Sequence, residues 1–189
     1  MTDFNFDARF ENEIFTANDF SFKEFENCTF IKCDFRNSSL QNARFLDCTF
    51  EDCNFNHAKI NHVSLRGVWF VGCDFTSVNF SMTDQIIYEF HFKSCLLDYA
   101  QFYKLKLNKI QFLDCSMVSV DFMETNLEQA VFDNCNLRLA VFSKSNLQKV
   151  DFLTSYNFSI DPENNKLKGA IFSQENVIGL LEKYQIQIK

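Results

Sequence analysis

Cys28-Thr29-Phe30-Ile31-Lys32-Cys33-Asp34-Phe35-Arg36-Asn37 holds two copies of one five-residue unit: a large apolar residue with a small one two places before it. The unit extends far in both directions. From Phe10 to Phe80 a large apolar residue, here called the centre, recurs at every fifth position, and after a slip of two residues it resumes at Ile87 and runs to Phe152. All eight cysteines sit two places before a centre: Cys28, Cys33, Cys48, Cys53, Cys73, Cys95, Cys115 and Cys135. A period of five fits neither a helix nor an extended strand, so the repeat itself sets the fold.

A period of twenty lies over the first. Phe10, Phe30, Phe50, Phe70, Phe92, Phe112, Phe132, Phe152 and Phe172 form one row, face A. Face B runs Phe15, Phe35, Phe55, Phe75, Leu97, Met117, Leu137, and the cysteines from Cys33 to Cys135 precede six of these centres. Face C runs Phe20, Leu40, Ile60, Phe80, Phe102, Phe122, Phe142, and face D runs Phe25, Phe45, Leu65, Ile87, Leu107, Leu127, Leu147. Like residues every twenty positions predict coils of four sides, stacked in parallel at about 4.8 Å. About eight coils give an all-β solenoid about 40 Å tall with a long thin core.

Composition narrows the class. One proline, four glycines and 25 phenylalanines among 189 residues exclude a flexible or low-complexity chain. No stretch reaches membrane-spanning length and the start has no basic, apolar leader, which predicts a cytoplasmic protein. Cysteines at steps of 5 and 20, with no CxxC, read as small buried apolar residues rather than disulfide or zinc ligands. His57, His62 and His91 read as solvated surface, and the four glycines form no phosphate loop. With no nucleophile–base pair either, neither catalysis nor a metal or cofactor is expected. The formal charge of −7 disfavours direct binding to nucleic acid and leaves open a partner that normally holds something negative.

Cys33-Asp34-Phe35-Arg36-Asn37, Cys73-Asp74-Phe75-Thr76-Ser77 and Cys135-Asn136-Leu137-Arg138-Leu139 resemble the pentapeptide repeat, written roughly A-[DN]-[LF]-x-x. The resemblance covers about residues 8 to 172 and implies a right-handed quadrilateral β-helix. Asp34, Asn54, Asp74, Asn79, Asp121, Asn126, Asn136, Asn146 and Asp151, each directly before a centre, are then turn-stabilising residues. The repeat domain is expected over 1–172, with the slip at 81–86 as a corner bulge.

Residues 173–189 read as a helix capped by Ser173, followed by a strand with Ile186 and Ile188. This ending is similar to that of Qnr-type quinolone-resistance proteins, which implies a tail-to-tail homodimer through Val177, Leu180, Leu181, Tyr184, Ile186 and Ile188. The resemblance also implies a non-enzymatic DNA mimic that binds DNA gyrase or topoisomerase IV and protects it from quinolones or gyrase toxins. Through residue 154, faces A and B carry ten acidic and five basic residues, against eight and nine on C and D. The expected partner surface is Glu11, Glu51, Asp52, Asp114 and Asp133, with Trp69 outward as an anchor. The competing reading is a scaffold or regulatory interaction module unrelated to topoisomerases, using Trp69 or Lys104, Lys106 and Lys109.

Overall fold

The computed structural model describes residues 4–15, 20–84 and 89–187. Its short strands stack in parallel, one rung per coil. Strands β2 (Arg9–Glu11), β4 (Thr29–Ile31), β6 (Thr49–Glu51), β7 (Ser64–Val71), β8 (Glu89–Lys93), β9 (Gln111–Leu113) and β10 (Val131–Asp133) build face A. Face D starts with β1 (Phe4–Phe6), β3 (Glu24–Glu26) and β5 (Arg44–Leu46), and pairs onward with the first part of β7. The register is the predicted one: Phe10 lies beside Phe30, Phe30 beside Phe50, and Phe50 beside Phe70. Beyond the slip Phe70 meets Phe92, and Phe112 meets Phe132.

The corner explains the period of five. Two places after most centres the backbone turns through positive φ, as at Asn37 (57°), Asn42 (58°), Lys104 (60°) and Leu139 (60°), the exceptions including Met82 after Phe80 and Thr154 after Phe152. A non-glycine residue there costs about 1–2 kcal/mol. The bend is offset because it turns the next centre inward, and because the corner N–H donates to the coil below. Asn12 N–H reaches the Ile31 carbonyl at 2.9 Å, and Asp114 N–H reaches that of Asp133 at 2.8 Å.

Asp or Asn before the centre marks a turn side, although sides led by Ser39, Lys59, Leu96, Gln101, Lys106 and Ser116 close in the same turn without one. All nine expected turn residues accept a hydrogen bond from the N–H two residues on, from Asp34 to Arg36 N–H (2.9 Å) through Asp151 to Leu153 N–H (2.9 Å). These sides close as turns, with Ser38 N–H donating to the Phe35 carbonyl at 3.0 Å. None of the three-residue strands carries Asp or Asn before its centre. Thr29, Thr49 and Val131 hold those places on face A, and such β-branched residues favour extended backbone.

The core is a column of rings. Face A phenylalanines stack from Phe10 to Phe172 with centroids 4.5–5.4 Å apart. Face C rings meet them edge-on, as Phe112 meets Phe122 at 5.7 Å and 69°. Among the described residues, centres are sealed from Phe20 to Phe152, whereas Phe10, Phe15, Leu167 and Phe172 are only partly buried. Fully closed coils therefore number about six rather than eight, because the first and last coils serve as ends.

Every cysteine is buried and free. The thiols answer a backbone need: Cys53 Sγ donates to the Phe30 carbonyl one coil above at 3.4 Å, and Cys73 to that of Phe50 at 3.4 Å. Thr125 and Ser145 do the same for Phe102 and Phe122 at 2.8 and 2.7 Å. Burial pushes the Cys33 thiol up to about 11 and Cys48 to about 12, and holds Cys73 well above its ordinary value. Thiols so raised and enclosed are poor nucleophiles. We expect no reaction of native protein with Ellman's reagent at pH 8 and release of all eight equivalents in guanidinium; reaction of the Cys33–Cys135 row under native conditions would contradict the packing.

The effect of the slip is seen in the pairing with β7, whose register shifts between Arg66 and Val68 opposite Glu89 and Phe90. Asn79 caps a 3-10 turn at Phe80–Met82, Thr83 bonds back to the Phe80 carbonyl, and the register with β7 is restored from Val68 and Phe90 onward. Residues 85 and 86 of the expected bulge, and Ile87, fall outside the described residues.

The tail departs from expectation. In place of one helix, two 3-10 turns span Val177–Leu180 and Glu182–Tyr184, and Ile186 is in no strand. Ile188 lies outside the described residues. So short a segment cannot offset helix nucleation by itself, and tertiary contacts set its path. Gly179 is pressed on Phe158, where an added Cβ would stand 2.3 Å from the carbonyl oxygen and 2.7 Å from the ring. Ser173 is not the cap of the first of these turns, a place held by Asn176; instead the two form a reciprocal pair, Asn176 N–H donating to Ser173 Oγ at 3.0 Å and Ser173 N–H to Asn176 Oδ1 at 2.8 Å. Asn176 Nδ2 then ties the tail to the Phe152 carbonyl at 2.7 Å.

Candidate interaction surface

With centres and the residues two before them turned inward, the remaining three positions of each side make the exterior. Glu11, Glu51 and Asp133 follow a centre on face A, in the file Glu11, Ile31, Glu51, Val71, Lys93, Leu113, Asp133. Asp52 and Asp114 occupy the corner between A and B, both at positive φ. The structure thus brings all five expected carboxylates to one side of the solenoid. Two are held by the next rung: Asn134 Nδ2 donates to Asp114 at 2.9 Å, and Thr154 Oγ1 to Asp133 at 2.7 Å. Asp98, missed as an ordered group, accepts from Ser116 Oγ at 2.7 Å and Val118 N–H at 2.9 Å.

Trp69 points outward on face A but is half-buried, contrary to the expected exposed anchor. It lies against His91 on the next rung, ring centroids 4.7 Å apart. His91 is likewise no solvated imidazole, its side chain being 12% exposed. Its Nδ1 accepts from Gln111 N–H at 3.1 Å, its Nε2 stands 3.8 Å from Glu89, and burial lowers its pKa despite that carboxylate. His57 and His62 are exposed at corners, as expected.

Residues 96–189 carry eleven acidic and ten basic residues, and sorting them by face uncovers a segregation hidden in that near-neutral sum. Over residues 96–172, faces A and B carry Asp98, Asp114, Asp133 and Asp151 against Arg138. Face D and its corner with C carry Lys104, Lys106, Lys109, Lys144, Lys149, Lys166 and Lys168, against Glu124 and Glu128. The columns were legible in the sequence, but only by dividing the chain by face and by half together. A surface cleft of about 340 Å³ opens on face D between residues 89–91 and 106–110.

The expected dimer residues separate into two groups. Leu180 packs on the core and Leu181 is half-buried, whereas Val177, Tyr184 and Ile186 are exposed, joined by Ile178, which the sequence reading passed over. Lys183 reaches Asp161 at 2.5 Å and Glu163 at 2.7 Å, lowering both carboxyl pKa values, and Tyr184 Oη donates to Glu163 at 2.9 Å.

Among the described residues no group of three or more His, Cys, Asp or Glu could hold a metal, and no helix is long and apolar enough to cross a membrane. No curated protein matches the sequence. Among solved structures, the fold is similar to a trypsin-treated variant of QnrB1, a plasmid-mediated fluoroquinolone resistance protein. That match has a TM-score of 0.66 at 17% identity and covers 98% of this chain and 100% of that one. A second trypsin-treated QnrB1 variant gives 0.55 at 18% identity, covering 100% of each chain. At such identities the likeness is one of fold. A family model described as a pentapeptide repeat region matches residues 23–90 and 85–156, most of the sequence, and the chain belongs to the pentapeptide repeat family.

Proposed function

We propose that this protein is a cytoplasmic, non-enzymatic DNA mimic that occupies the DNA-binding groove of DNA gyrase or topoisomerase IV and protects the enzyme from quinolones or gyrase-directed toxins. The observation that carries the reading is the acidic side: faces A and B stay acidic through the second half, four carboxylates to one arginine. A straight rod with ordered carboxylates at rung spacing meets a basic groove as a duplex would, and gains association rate by electrostatic steering. The fold shared with a fluoroquinolone resistance protein supports the same reading. The test is displacement of a labelled duplex from gyrase by the purified protein. Displacement at micromolar concentration in low salt, fading as salt rises, supports the proposal; none at any salt sinks it.

The tail supports a homodimer. Val177, Ile178, Tyr184 and Ile186 leave an apolar end exposed beside the last coil, and a second copy about a twofold axis would bury the same patch twice. Wild type is expected to sediment as a dimer and the Ile178→Glu/Ile186→Glu variant as a monomer with unchanged circular dichroism. A monomeric wild type at 100 µM would refute the dimer without touching the mimic.

A further inference from the structure

We propose that the lysine strip of face D binds the phosphate backbone of nucleic acid, on a side of the solenoid distinct from the acidic faces. The formal charge of −7 counts against this only if charge is spread evenly, and it is not. Lys106, Asn126, Asn146 and Lys166 follow one another as bridged partners on successive rungs. Lys104 and Lys144 flank that file on one corner, Lys109 and Lys149 on the other, all four at positive φ. All seven lysines are exposed.

These four rungs, three spacings of about 4.8 Å, span about 14 Å. Duplex DNA presents about one phosphate per 1.7 Å of axis, or about eight charges over that length. Seven lysines therefore face a comparable line of anions, of which one side of a duplex offers about half. Glu124 pairs with Lys104 at 3.4 Å, Lys106 also has a partner within the protein, Glu128 stands within the strip, and Glu89, one rung above Lys109, ends it. Between the lysines lie Asn126, Gln129, Asn146 and Gln148, neutral amides of the kind that contact phosphate and sugar. Screening over about 8 Å at physiological salt makes the strip act locally rather than through the net charge.

An acidic protein is the poorer fit. Protein interfaces centre on Trp, Tyr or Arg anchors and are depleted of lysine, and the strip has the opposite composition. Flexible, strongly hydrated lysines suit a non-specific backbone contact whose affinity comes from counterion release.

The test is fluorescence anisotropy of a labelled 20-base-pair duplex titrated with the full chain. Micromolar binding at 50 mM NaCl is expected, weakening roughly a hundredfold by 200 mM, as about four phosphate contacts require. Lys109→Gln/Lys149→Gln/Lys168→Gln should lose at least tenfold at 50 mM, with folding checked by circular dichroism, while Asp114→Lys/Asp133→Lys loses nothing. No anisotropy change up to 100 µM, or an unaffected triple variant, overturns the proposal. Tighter binding of poly-glutamate than of the duplex at equal charge and salt also overturns it, in favour of an acidic protein partner. The proposal does not rest on gyrase binding, and either can fail alone.

Discussion

Replacing Phe112 by alanine is expected to cost about 3–5 kcal/mol of folding stability, the range for a fully buried aromatic in a close-packed site. Phe112 lies between Phe92 and Phe132 at 5.4 and 5.0 Å, and meets Phe102 and Phe122 edge-on at 5.8 and 5.7 Å. It is wholly enclosed. The loss goes beyond one side chain's transfer energy, because each coil is stabilised by its two neighbours and a gap mid-stack weakens both interfaces. Phe172, half-buried with a single stacked neighbour above it on face A, should cost about 1 kcal/mol by the partial burial it loses. Guanidinium denaturation of the two variants checks the contrast. Equal, small shifts would mean that the column of rings is not what holds the coils in register.

The second large effect is expected from Asp114→Lys with Asp133→Lys. Both carboxylates are exposed, one on the A–B corner and the other on face A one rung below, and each is oriented by a neutral donor from the following coil. Reversing both turns a local charge of −2 into +2 where a basic groove would grip. Affinity for gyrase should fall at least tenfold, about 1.4 kcal/mol or more, and the salt dependence of what remains should flatten. Glu128→Lys on face D, half the charge change on the other side, is the off-face control and should leave affinity within twofold. Comparable losses from both would assign the contact to net charge rather than to faces A and B.

The sequence carried the coil almost completely, because a core one residue deep forces the same decision at every fifth position. Phe30, Cys33, Asp34 and Phe35 each occur where their column requires. The corner geometry was less legible: Asn37, Lys104, Tyr99 and Leu139 all adopt positive φ, and no residue type announces it. The choice between turn and strand was legible only in part: Asp or Asn before the centre marks a turn, but Leu96, Gln101 and Lys106 lead turn sides with no such mark. The tail misled because Leu180, Leu181 and Tyr184 do suit a helical stripe, while Gly179 against Phe158 and the Asn176 bonds to the last coil dictate a tighter path. Trp69 and His91 were misjudged for one reason: twenty-two residues apart, they become neighbours only once the slip is counted into the register.

Supercoiling of relaxed plasmid by gyrase at an inhibitory quinolone concentration, with this protein added from 0.1 to 10 µM, reaches the functional claim most directly. The acidic-face account predicts recovered supercoiling in that range, lost with Asp114→Lys/Asp133→Lys and retained with Glu128→Lys. Unrelieved inhibition at every concentration in low salt, by protein whose thiols are fully protected and which is therefore folded, would contradict it.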